Sequence, residues 1–108
     1  DHYVVGGRFR GTVDFDPGAA LKERAAAGED DLFVSWFDEL GNFQQVGEVG
    51  GSGEEVWGCV GADAVGGARL GGGFEGTADL DPAQTIHDKT ALGAYDACVI
   101  RLSNTGTF

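Results

Sequence analysis

The stretch Gly6–Pro17, GGRFRGTVDFDP, is written again 65 residues later, at Gly71–Pro82, as GGGFEGTADLDP. The offset holds without a gap from residues 1–43 onto residues 66–108, and fourteen of those 43 pairs are identical. Glycines meet glycines (Gly11/Gly76, Gly28/Gly93, Gly41/Gly106) and aspartates meet aspartates (Asp14/Asp79, Asp16/Asp81, Asp31/Asp96). A long period with matched turn residues marks a supersecondary unit that is copied and stacked. Equivalent positions should therefore share one backbone. Two full units need more than the 108 residues present, and the chain opens and closes inside a repeat without an initial Met. A piece of something longer is the expectation.

That constraint decides the local readings. Tyr3–Phe9 is rich in β-branched and aromatic residues and reads as a strand, with the pattern running on through Thr12–Phe15 to the turn at Pro17-Gly18. Ala19–Ala27, AALKERAAA, has helical propensity by itself. Its copy, Gln84–Leu92, carries Thr85, Ile86 and Thr90 and prefers extended structure. Since both must fold alike, an extended hairpin arm or irregular loop is expected over a helix. Leu32–Phe37 is a nearly continuous apolar strand, copied at Ala97–Leu102. Phe43–Val49 alternates and reads as an edge strand. Gly50–Gly53 is the most linker-like stretch. Val56–Ala62 and Ala68–Gly76 are further strands, and another begins at Phe108.

The fold class is all-β. Short antiparallel strands joined by tight turns, four to a unit, are how a β-propeller blade is built. Residues 1–49 then form a partial blade, its second to fourth strands. Residues 50–108 form another, from the first strand to the start of the fourth. Val56–Ala62 is innermost, followed outward by Ala68–Gly76, Ala97–Leu102 and the strand at Phe108. A compact β-sandwich is the alternative.

Composition narrows the partners. Glycine is 20 of 108 residues, against a usual ~7%, without the three-residue period of collagen. The net charge of −11 repels nucleic acid and anionic membrane surfaces. No apolar run approaches the ~20 residues of a bilayer span. A signal peptide, if there is one, lies outside this stretch.

Chemistry-bearing residues are few. Asp14 and Asp16, repeated as Asp79 and Asp81, stand two apart before the turn proline. They offer hard oxygen ligands for calcium, or they cap the turn by accepting backbone N–H groups. Occurrence in both copies argues against a catalytic pair. Gly71-x-Gly73-x-x-Gly76 has the letters of a dinucleotide fingerprint, but no helix start follows, and Arg8 replaces the middle glycine in the other copy. His2 and His87 are not equivalent and lack zinc spacing, and His87 reads as a surface residue. Cys59 and Cys98 fall on the first and third strands of one unit, too far apart to bridge, and read as two buried thiols. Trp36 and Trp57, with Phe9, Phe33, Phe37 and Phe74, are the residue types of a carbohydrate platform, and the expected reading is that they fill the space between blades.

The string GTVDFDPG at Gly11–Gly18, followed by the Gly-x-x-Asp-x-Phe-Val of Gly28–Val34 and the Gly-Asn-Phe of Gly41–Phe43, resembles the bacterial SBBP-type β-propeller repeat. The second copy, at Gly76–Ala83, is degenerate, with Ala78, Leu80 and Ala83 in place of Val13, Phe15 and Gly18. The resemblance implies a blade in a large secreted or cell-surface bacterial protein, without mapped catalytic residues. Two blades cannot close a ring of 4–8. Either further blades belong to the parent protein, or copies of the chain assemble as a homo-oligomer. The leading expectation is a non-enzymatic structural or binding segment with a protein or glycan ligand. A calcium-stabilised adhesion module is the second reading. A propeller-scaffold enzyme with its active site elsewhere is the third.

Overall fold

A computed structural model of the chain describes residues 2–81 and 86–105, apart from the side chain of Trp57. The expected outermost strand at Phe108 lies outside the described residues. Ten strands follow in order: β1 (His2–Phe9), β2 (Thr12–Asp14), β3 (Glu23–Ala25), β4 (Asp31–Asp38), β5 (Phe43–Gly51), β6 (Glu55–Ala62), β7 (Ala68–Phe74), β8 (Thr77–Asp79), β9 (Asp88–Thr90) and β10 (Asp96–Leu102). The all-β reading holds. All strand pairings are antiparallel.

The repeat is realised element by element. Shifted by 65, β2 falls on β8 and β3 on β9 without remainder, while β1 overlays β7 and β4 overlays β10 to within a residue. Thr12–Asp14 pairs with Glu23–Ala25, and Thr77–Asp79 with Asp88–Thr90. The helical propensity of AALKERAAA therefore loses, because β2 supplies a pairing partner that an isolated helix lacks. The strand expected to run unbroken to Phe15 is interrupted at Gly11, which sits at φ 65°. Its copy, Gly76, also sits at φ 65°. Only glycine adopts that left-handed conformation without cost, so the identity Gly11/Gly76 is a backbone requirement.

Strands β1-β4-β5 of the first unit continue through β8-β9 of the second as one five-stranded sheet, β10-β7-β6 form a three-stranded sheet, and β2-β3 pair by themselves. The final residues of β5, Gly50 and Gly51, pair with Asp79 and Ala78 of β8. The expected edge strand is thus covered at its end, and the glycine stretch is partly strand. A side chain on Gly51 would run into the carbonyl of Thr77, so the tight approach at this seam needs glycine. The seam is extended by Glu55 N–H donating to the Asp30 carbonyl, at 3.5 Å.

The core lies between the units. One side is Leu32, Val34, Trp36 and Val49 from β4 and β5. The other is Leu70, Phe74, Ile100 and Leu102 from β7 and β10, with Ala78 and Leu80 beside them. Trp36 satisfies its indole N–H on the Gly66 carbonyl, at 3.1 Å. Among the described residues no helix is long and apolar enough to cross a membrane.

Candidate functional site

The Asp-x-Asp turns are built alike. Asp14 Oδ1 accepts from the backbone N–H of Asp16 (3.1 Å) and of Lys22 (2.8 Å). Asp79 Oδ1 accepts from Asp81 (3.0 Å) and His87 (3.0 Å), the equivalent residues. In each arm one carboxylate thus pins both sides of the hairpin. Asp16 accepts from Gly18 N–H at 2.7 Å. Asp81 is buried and bonds through Oδ2 to Nδ1 of His87, at 3.1 Å. His87, read from sequence as a surface residue, is half-exposed and tied to this turn. All four aspartates thus hold hydrogen-bonded groups of their own turns. Among the described residues no group of three or more His, Cys, Asp or Glu side chains gathers to hold a metal ion.

A second acidic place was not foreseen. Asp31, at the start of β4, is buried and accepts from Ala27 N–H (2.7 Å) and Gly28 N–H (3.4 Å). Asp96, its copy, does the same for Leu92 N–H at 3.1 Å. Glu55 of β6 lies 1% exposed at the seam, next to Asp31 and the Gly51 backbone, and among the described residues neither of its carboxyl oxygens makes a hydrogen bond of good geometry. Burial, reinforced by the neighbouring negative charge of Asp31, pushes Glu55 up to about 7. Burial also raises Glu48 on β5. Sequence reasoning missed Glu55, because its burial is produced by an inter-unit contact and it has no repeat partner within the 108 residues.

The cysteines need a correction. Both thiols are free, but Cys59 is exposed and Cys98 is half-buried. β7 runs between their strands, as expected. Cys59 follows the register shift between Trp57 and Cys59 and lies on the face of β6 turned away from the core. Cys98 borders the core, where burial raises its thiol.

An open, mostly apolar groove of about 480 Å³ lies on the first unit. Phe9, Phe15 and Phe33 form its floor, with ring centroids 5.2 Å (Phe9–Phe15) and 4.8 Å (Phe15–Phe33) apart. Val5 and Phe37 extend it along the sheet, and Asp14 stands at its edge. The buried Ser35 hydroxyl lines it and, among the described residues, has no hydrogen-bond partner. Of the aromatic residues expected between blades, Trp36 and Phe74 are in the core, while Phe9, Phe33 and Phe37 line this groove. The Trp57 side chain lies outside the described set.

No known protein family, curated protein or solved structure matches the chain.

Proposed function

We propose that the chain is a non-enzymatic structural and binding segment of a β-propeller, belonging to a secreted or cell-surface protein. The observation that carries this reading is which faces meet. Strand alternation splits each sheet into two faces. In the first unit the core face is Val4, Leu32, Val34 and Trp36. The residues 65 positions later, Arg69, Ala97, Val99 and Arg101, lie on the outside of the second unit. The second unit instead buries Leu70, Phe74, Ile100 and Leu102. Their counterparts in the first unit are Val5, Phe9, Ser35 and Phe37, the groove face.

The two copies therefore pack through non-equivalent faces. A two-fold sandwich of repeats would bring equivalent faces together. Front-to-back stacking is what serial repeats and propeller blades require. The antiparallel order β6-β7-β10 fits the inner three strands of a blade. Short arms and glycine turns at the sheet ends suit presentation of loops to a protein or glycan ligand.

The test is to join residues 44–108 in series, one period at a time, and follow thermal unfolding. A propeller gives a sharp gain in stability when the ring closes, at some number from 4 to 8. A self-sufficient sandwich gives one melting temperature from two units upward, which would end this reading.

A further inference from the structure

We infer that the groove of the first unit is a docking site for a second copy of this chain, entered by the outer face of that copy's second unit. The inference rests on the front-to-back packing just described, and it can fail without it. Inside the molecule Leu70, Phe74, Ile100 and Leu102 share one buried core with Leu32, Val34, Trp36 and Val49 of β4 and β5. The groove is the same surface one repeat earlier, with Val5, Phe9, Ser35 and Phe37 in those places. Among the described residues the rim of this surface is open, with Val5 45% exposed and its strand neighbour Tyr3 60%, while Phe9 and Ser35 form its buried floor.

The matching surface is open on the far side of the molecule. Val99 takes the place of Val34, which is fully buried against the second unit, yet Val99 is 82% exposed. Ala97 and Val56 lie exposed on the same face, and Gly71 and Gly73 leave its centre flat enough for another sheet to approach. Two open faces thus exist at the positions of the two halves of a junction the molecule already makes once, with Val99 kept and Arg69, Ala97 and Arg101 standing where that junction has Val4, Leu32 and Trp36.

Charge favours this pairing. On a chain of net charge −11, the outer face of the second unit carries exposed Arg69 and Arg101. The groove face carries Asp14 at its edge and Glu48 beside Phe33, and its one lining cation, Arg8, is already held near Asp30 (3.7 Å) and Glu54 (3.6 Å). Groove against groove would set these acids against each other. Groove against the arginine face pairs them. The junction is heterologous, so it propagates until a ring closes.

Sedimentation equilibrium of the chain across a concentration series tests this, with three samples. The wild type should associate, with a mass at least twofold that of one chain. Val5→Glu puts a carboxylate in the groove and Val99→Glu puts one on the opposite face, so each alone should remain a monomer. Mixed in equal amounts, the two variants retain one intact junction and should give a complex of two chains and no more. Both positions are exposed, so the fold should survive. If either variant unfolds, Tyr3→Glu and Ala97→Glu probe the same two faces. A wild type that stays monomeric throughout overturns the inference. Association that Val99→Glu leaves untouched also overturns it, since the groove would then meet itself or another surface. Neither result alters what tandem copies of the 65-residue period do on heating.

Discussion

Glu55 is the residue whose chemistry most exceeds its sequence context. Its carboxyl group is buried beside Asp31, with Glu54 adding a further negative charge, and its pKa stands at about 7 against an ordinary 4.5. The folded chain therefore holds a proton that the unfolded chain releases first. Stability from this group is complete below about pH 4.5, falls as pH rises toward 7, and levels off above it. Each pKa unit corresponds to about 1.4 kcal/mol, so the loss is at most on the order of 3 kcal/mol, and smaller to the extent that solvent screens the carboxylate. Asp63 and Asp38 act oppositely. Backbone N–H donors of Gly67 and Val65 lower Asp63, and Asn42 lowers Asp38. Their contribution is present above the usual carboxylate range and is lost as pH falls through their lowered values. Denaturant melts between pH 4 and 8 should show stability declining toward neutrality, and Glu55→Gln should flatten that decline. A wild type equally stable across the window would show that Glu55 is not buried as a proton-holding acid. At this scale the sequence was partly legible. The turn role of Asp14 and Asp79 could be read because it is written twice. The place of Glu55 could not, because distant segments bury it.

The hairpin arms β2–β3 and β8–β9 show how a repeat overrules local propensity. AALKERAAA has the composition of a helix, and only its alignment with a Thr-containing copy argues for extended structure. The arms are held by few bonds. Besides the strand ladder, Ala26 N–H reaches the Gly11 carbonyl at 2.9 Å and Ala91 N–H reaches Gly76 at 2.7 Å, and at the other end Phe15 N–H reaches Lys22 at 3.0 Å and Leu80 N–H reaches His87 at 3.3 Å, the same bonds in both copies. The side-chain brace is Asp14 or Asp79. Asp14→Ala should leave the N–H groups of Asp16 and Lys22 without their carboxylate. The expected cost is about 1–2 kcal/mol, reduced because the turn is exposed to water. Hydrogen exchange should quicken at these two amides and leave β4 unchanged. Protection lost equally in β4 would mean the arm is integral to the sheet. The thiols were misread at this same scale. Strand order was enough to keep them apart, but alternation alone did not say which face of β6 would be covered, and Cys59 lies on the open one.

For the whole molecule, the decisive fact is the non-equivalence of the packed faces. The sequence carried the repeat, the strand positions and the all-β class. It could not say which face of one copy meets which face of the other, because both faces of β4 are apolar: Leu32, Val34 and Trp36 on one, Phe33 and Phe37 on the other. The second unit resolves the ambiguity, since Arg69 and Arg101 mark its outer side. The groove of the first unit then follows as the uncovered counterpart of the second unit's core face. Methyl–methyl Overhauser contacts in the monomeric Val99→Glu or Val5→Glu chain read this arrangement directly. The front-to-back account predicts that the methyl groups of Leu32, Val34 and Val49 see those of Leu70, Ile100 and Leu102, while Val5 in the Val99→Glu chain, or Val99 in the Val5→Glu chain, sees none of them across the interface. Contacts from Val34 to Val99, seen in the Val5→Glu chain, would place equivalent faces together and contradict it.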